Sequence, residues 1–217
     1  MKLKRILVTA FLGVLMVLTC FVSSEKDSEK LYSEMPDIVF VAVYSNTSQS
    51  EETGTTGYYI EKDGTVKSFY LDESLPFDGD YSKIDDKLSL DYEMTIEDFS
   101  SVFGLDELHK KIQANSVSYG SVNRESVIDC YRTLLKIDEK NTLYEPEVKI
   151  LMVVDEYRCY GVRLNENNEE EYVIIEVQGN SFWKNDTNQA NRLYEQLTVV
   201  CPELSFSEMY NKYSENN

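Results

Sequence analysis

The sequence predicts an α+β fold: an antiparallel sheet, or two, with three to four helices packed on one face. Three observations lead there. Short β-branched and aromatic runs gather at 38–44, 56–71 and 148–177. Segments with apolar residues at helical spacing gather elsewhere, at 95–112, 124–137, 186–197 and 205–213. The two kinds come in clusters, not in the strict alternation that a parallel βαβ sheet requires.

Each element has its own justification. Residues 38–44 (IVFVAVY) read as a buried strand, followed by a polar loop rich in Ser, Thr and Glu at 45–55. The segments GYYIEK and TVKSFYL flank Asp63-Gly64, a pair that supplies the positive φ angles of a two-residue hairpin turn. The acidic stretch 72–94, with Pro76 and Gly79, is a long connection and marks a candidate subdomain junction. Thr95 and Asp98 cap a helix whose apolar face is Ile96, Phe99 and Phe103, continued past a break at Gly104 by Leu108 and Ile112. Residues 124–137 carry Val127, Ile128, Tyr131, Leu134 and Leu135 on one stripe, with Cys130 among them as a buried thiol. KILMVV, RCYGVRL and EYVIIEV read as three antiparallel strands, the last two joined by a loop at 165–168. Asp186 and Gln189 form a cap pair ahead of Ala190, Leu193, Tyr194 and Leu197. Pro202 ends that helix, and Ser205 with Glu208 caps a last one that turns Phe206, Met209, Tyr210 and Tyr213 inward. Residues 37–214 are thus expected to form a single α+β domain.

Upstream of it lies a different kind of segment. Lys2, Lys4 and Arg5 precede an uncharged apolar run at 6–19, with Ser23 and Ser24 at its exit. That is the layout of a secretory signal, so residues 1–24 form a signal peptide or N-terminal membrane anchor and the fold gains an N-terminal signal helix. Residues 25–36 are charged and poor in apolar side chains, which reads as a flexible tether. The stretch Val17, Leu18, Thr19, Cys20 resembles the lipobox of bacterial lipoproteins, with Thr19 where Gly or Ala is usual. The resemblance implies cleavage before Cys20 and lipid on its thiol. Two other endings stay open: cleavage after Ser24, or retention of 6–22 as an anchor. These 17 residues, at about 1.5 Å each, barely match a hydrocarbon core of roughly 30 Å.

Charge narrows the partners. The signal carries three cations and no anion, so its loss leaves 18 Lys+Arg against 39 Asp+Glu, or −21, where the whole chain carries −18. Nucleic acid is excluded, because phosphate binding rests on Lys and Arg displacing counterions. Docking on anionic lipid is disfavoured for the same reason. The cysteines Cys20, Cys130, Cys159 and Cys201 share no CxxC spacing, so no zinc or redox motif is expected. An exported chain permits a disulfide, and Cys159 with Cys201 is the candidate pair.

No chemical motif stands clear of its surroundings. His109, the sole histidine, falls near a helix end in Leu108-His109-Lys110-Lys111 and is expected at the surface. Ser121 follows Gly120 without the G-x-S-x-G elbow of a nucleophile. Asp78, Asp80 and Ser82 match the start of a calcium loop, but Lys83 replaces its glycine and Ser89 its closing glutamate. Asn165, Asn167 and Glu169 lead to Glu176 in a similar pattern, but Glu170 stands in the glycine position and Glu176 falls in a strand. Trp183 with Phe182 suggests either packing or a platform for sugars. Asn46 and Asn185 head N-glycosylation patterns. No catalytic residue, metal or cofactor is expected. The sequence points to an exported envelope protein, membrane-anchored through lipid on Cys20 or through its N-terminal helix. It would sit on the outer face of the cytoplasmic membrane or be secreted, with a binding or accessory role toward a protein or glycan. A secreted carboxylate-dependent hydrolase of cell-wall glycan or peptide is one alternative. A protein–protein interaction module is the other.

Overall fold

The computed structural model describes residues 27–46, 54–72, 105–138, 143–144, 155–178, 183–185 and 187–215. The signal segment with Cys20, the calcium-like stretch from Asp78 to Ser89, the cap at Thr95 and the KILMVV strand lie outside these residues. The chain divides into two units, Met1–Met35 and Pro36–Asn217. In the first, residues 27–34, within the stretch read as a tether, form helix α1. Lys30 Nζ stands 3.8 Å from Glu34 one turn on, an exposed pair of the kind that adds only a few tenths of a kcal/mol.

The second unit is built on a six-stranded antiparallel sheet in the order β4-β3-β2-β1-β6-β7. Its strands are β1 (Ile38–Asn46), β2 (Gly54–Glu61), β3 (Thr65–Leu71), β4 (Ser116–Ser121), β6 (Asp155–Leu164) and β7 (Glu170–Gln178). A separate ribbon pairs β5 (Leu143–Tyr144) with β8 (Trp183–Lys184). The two strand groups of the sequence therefore share one sheet. β1 joins them, bonding β2 on one side and β6 on the other. Burial on both faces matches the apolar run of β1 from Ile38 to Tyr44, with Val39 to Val43 at 0 % exposure.

Both main hairpins turn on three residues. Gly64 N–H donates to Glu61 O at 2.9 Å, and Gly64 alone in that turn has positive φ, +92°. The expected two-residue turn at Asp63-Gly64 is thus a three-residue loop, Lys62-Asp63-Gly64. Asp63 takes an ordinary φ and uses its carboxylate to accept from Thr65 N–H at 2.8 Å. The β6–β7 loop repeats the design. Asn168 N–H donates to Asn165 O at 3.0 Å, and Asn168 takes φ +60°.

Helices cover both faces. α3 (Arg124–Leu134), α4 (Asn188–Val200) and α5 (Phe206–Glu215) lie over the face that carries Phe40, Ala42, Tyr44, Tyr157 and Gly161. α2 (Leu105–Ala114) lies over the opposite face, where its Leu108 and Ile112 join Val41, Val43, Tyr59, Phe69, Tyr160 and Ile174 in one core. Gly161 lets α3 pack closely, since a Cβ there would sit 2.6 Å from the end of the Leu134 side chain and oblige it to shift. The stripe of α3 buries as its spacing predicts, apart from Leu135, which is exposed. The α4 cap shifts by one residue from expectation: Thr187, whose Oγ1 accepts from Ala190 N–H at 3.1 Å, does the capping. Ser205 caps α5 as expected, accepting from Glu208 N–H at 3.3 Å. Met209 is buried, but Tyr210 is exposed and meets Tyr44 edge-on.

Candidate functional site

A cleft of about 410 Å³ opens beside α5, lined by Tyr58, Tyr119, Pro202, Glu203, Glu208, Asn211 and Lys212. It is assembled from parts far apart in sequence. Tyr58 comes from β2 and Tyr119 from the edge strand β4, on the sheet face that α5 covers. The 3₁₀ turn Pro202–Leu204 supplies Glu203 and aims α5. That turn is pinned to the sheet by Tyr157, whose hydroxyl donates to Leu204 O and whose ring meets Phe206 edge-on at 5.6 Å. Burial pushes the Tyr157 hydroxyl well above the usual phenol range, so it remains a donor. Tyr194 on α4 accepts from Phe206 N–H at 3.2 Å, tying the start of α5 to its neighbour. Cys201 Sγ donates to Glu203 Oε2 at 3.4 Å and so positions that carboxylate.

From these anchors α5 delivers Lys212 to the two tyrosines. Their rings stand at 73° with centroids 5.0 Å apart, forming a corner. Lys212 Nζ lies 4.9 Å from each centroid and donates to Tyr58 Oη. The ammonium therefore meets Tyr58 at its hydroxyl, through that hydrogen bond, and lies near the Tyr119 ring, whose face attracts a cation. The hydrogen bond to Tyr58 holds the Lys212 ammonium above its ordinary pKa, against partial desolvation, with Tyr58, Tyr119 and Glu203 adding to the rise. The Tyr119 hydroxyl is drawn down by Lys212, but Tyr58, burial and Glu203 together outweigh that pull and raise it. At neutral pH the corner therefore holds an ammonium beside the neutral phenol of Tyr119. Such a lysine is a poor nucleophile and a good electrostatic contact. Tyr58 is only 4 % exposed, whereas Tyr119 is 48 % exposed and forms the mouth.

The residues singled out from sequence fall elsewhere. His109 is not at the surface: it is 7 % exposed, because Leu108, His109 and Ile112 share the arc of α2 that faces the sheet. It stacks on Tyr160 with centroids 5.9 Å apart and meets Tyr172 edge-on at 5.1 Å. Its Nδ1 lies 3.6 Å from Glu170 Oε2, and its buried Nε2 has no hydrogen-bond partner among the described residues. The hydrogen bond with His109 lowers the Glu170 pKa, with Tyr172 assisting at 3.2 Å and burial opposing. Cys130, Cys159 and Cys201 are buried free thiols, so the Cys159–Cys201 pair considered for a bridge is not joined here. Burial pushes each of them up to about 12, which makes them inert as nucleophiles at neutral pH. Asn165 serves its turn, its Oδ1 accepting from Asn167 and Glu169 N–H at 2.8 and 3.0 Å. Asn185 is fully buried, donating to Ile174 O at 3.0 Å and accepting from Thr187. The side chain of Trp183 lies outside the described set.

Sequence reasoning missed the Tyr58–Tyr119–Lys212 corner. Tyr58 and Lys212 are 154 residues apart, and no local pattern joins them. The one trace was Glu208 preceding Lys212 by a helical turn, which places both on the same flank of α5. Among the described residues no helix is long and apolar enough to cross a membrane, and no three His, Cys, Asp or Glu side chains are grouped to hold a metal ion. No family model, curated protein or solved structure matches the chain.

Proposed function

We propose that the chain is an exported envelope protein, held at the outer face of a cytoplasmic membrane, that binds a partner rather than transforming it. The observation that carries the reading is the leader: Lys2, Lys4 and Arg5, then an uncharged run at 6–19 that ends at Cys20. The acidic body is in keeping with it, since mutual repulsion keeps such a domain dispersed. Lipid on Cys20 is the preferred anchor, and the cleft beside α5 is the preferred binding surface.

Cell fractionation with palmitate labelling tests the anchor. The native chain is expected in the membrane fraction with label, and Cys20→Ala is expected to lose the label. A mature protein found in the cytosol with Met1 intact would overturn export altogether. A membrane-bound but unlabelled native chain would replace lipid by the retained helix.

One observation favours a second reading, a protein–protein interaction module. β4 is the last strand of the sheet and is exposed from Val117 onward. Val117 at 64 %, Tyr119 at 48 % and, on β3, Tyr70 at 57 % leave apolar surface beside that edge. Lysine in place of Val117 would abolish a complex formed by strand addition.

A further inference from the structure

We propose that β4 is a self-association edge, along which two copies of this chain pair antiparallel about a two-fold axis at Ser118 and join their sheets into one. The inference rests on the strand-addition reading above and names its partner. The two outer strands of the sheet are treated differently. At β7, Asn185 donates to Ile174 O, and Glu170 and Glu176 put charge along the strand. At β4, Ser116–Ser121 hold neither charge nor proline, the usual guards against edge pairing. They lie within an uncharged run from Ile112 to Asn123, in a chain of which 28 % is charged. Five of the six β4 residues are exposed. Val117 lies opposite Ser68, Ser68 lies opposite Tyr58, and Tyr119 meets Tyr58 edge-on, so Val117 and Tyr119 share one sheet face. Tyr70, two residues beyond Ser68 on β3, extends the same exposed apolar strip.

Charge selects the occupant. A chain at −18 repels its own copy wherever acidic surface meets acidic surface. At β4 two copies meet with no charge on either strand, whereas a basic or acidic peptide would find no counter-charge on β4 to read. Pattern sets the register. About Ser118, Val117 of each copy lies opposite Tyr119 of the other, so the symmetry makes the same apolar cross-strand pair twice. A register shifted by one residue would turn the two apolar strips to opposite faces of the joined sheet. β4 is six residues long and bulged at Tyr119, so the contact is small and the dimer weak in solution. Anchoring both copies on one membrane, as proposed above, would raise their effective concentration and populate the pair.

Sedimentation equilibrium of the full chain in density-matched non-ionic detergent tests this, together with cross-linking. The native chain is expected to pass from monomer to dimer as its concentration rises. Added sodium chloride is expected to tighten the dimer about twofold, because screening weakens the repulsion between two anionic bodies. Val117→Lys puts a charge into the pairing twice per dimer and is expected to weaken it about tenfold. Val117→Ile is expected to leave it intact. Ser118→Cys is expected to be joined to its copy by a short bis-maleimide and Ser121→Cys not, since only residue 118 meets itself across the axis. The thiols of Cys130, Cys159 and Cys201 are buried, and the native chain serves as the blank. These positions are at the surface, and unchanged circular dichroism would show that each variant folds. A native chain that stays monomeric at every concentration would overturn the proposal. So would a dimer that Val117→Lys leaves unchanged, a dimer that salt weakens, or linkage through residue 121 in preference to 118. A monomeric native chain that loses a foreign partner through Val117→Lys would overturn self-pairing and leave strand addition standing, so the two readings fail separately.

Discussion

At the scale of single residues, the buried charges are where the fold is most exposed to change. Arg163 and Glu171 face each other across β6 and β7 with Nε to Oε2 at 2.5 Å, and both are nearly buried. Arg163 also donates to Ile137 O at 2.8 Å, fastening the chain just beyond α3. Glu171→Ala leaves a guanidinium without its carboxylate and is expected to cost about 3 kcal/mol in urea unfolding. The double variant Arg163→Met with Glu171→Leu is expected to cost less than that single change, because no buried charge is stranded. Glu170 behaves differently, being partly open to solvent. Its pKa is lowered in the folded state, so its ionised form favours folding. That contribution is whole above the ordinary value of 4.5 and is lost as the pH falls through the depressed folded value. Native and Glu170→Gln chains should therefore differ in urea midpoint at pH 6 and converge toward pH 3. A gap that widened on acidification would remove His109 as the cause. None of these pairings was legible in sequence, because a cross-strand partner is set by register. His109 was misplaced for a related reason: its neighbours are Lys110, which is exposed, and Lys111, which is half-buried, and only the sheet beneath reveals which arc of α2 is inward.

At the scale of elements, legibility followed side-chain pattern closely. β1, β2, β3, β6 and β7 stand where β-branched and aromatic runs placed them, and α3, α4 and α5 where helical spacing did. β4 was missed altogether. Its sequence SVSYGS has two large residues, and both are exposed, so it lacks the buried face that makes a strand visible. The cleft was lost with it, since Tyr119 is a β4 residue. The hairpins show a finer point: Asp-Gly announced a turn correctly but not its length. Gly64 also meets the chain behind it. Its carbonyl accepts from Val122 N–H at 2.8 Å, and a Cβ would fall 2.4 Å from Val122 O. Gly64→Ala thus combines a left-handed backbone penalty of about 1–2 kcal/mol with a clash against backbone. A drop in thermal midpoint larger than that penalty alone explains is expected. A neutral substitution would mean that the β2–β3 turn and the start of α3 are not coupled.

At the scale of the whole molecule, the expected α+β class holds, and the two strand groups form a single sheet. The sequence left that choice open because β1 is equally apolar toward both neighbours. Three helices share one face, as the clustering suggested, while α2 takes the other. Composition made the strongest statement here, through the net charge of −18. Self-repulsion of that size opposes compaction and is screened by salt. Raising sodium chloride from about 10 to 300 mM, a range in which the Debye length falls from about 30 Å to below 8 Å, is expected to raise the melting temperature at pH 7. A fall would mean that screened ion pairs outweigh the repulsion.

The position of β1 has a consequence for how the chain is made. A ribosome delivers β1 first among the strands, yet one of its two neighbours, β6, does not begin until Asp155. For more than a hundred residues of synthesis the most apolar strand has one edge unpaired, and no hairpin formed earlier can close it. The late strands must insert beside β1 after β2 to β4 are already available. The order of birth along the polypeptide and the order of neighbours in the sheet are therefore at odds, and the nascent chain needs shielding until its final third emerges.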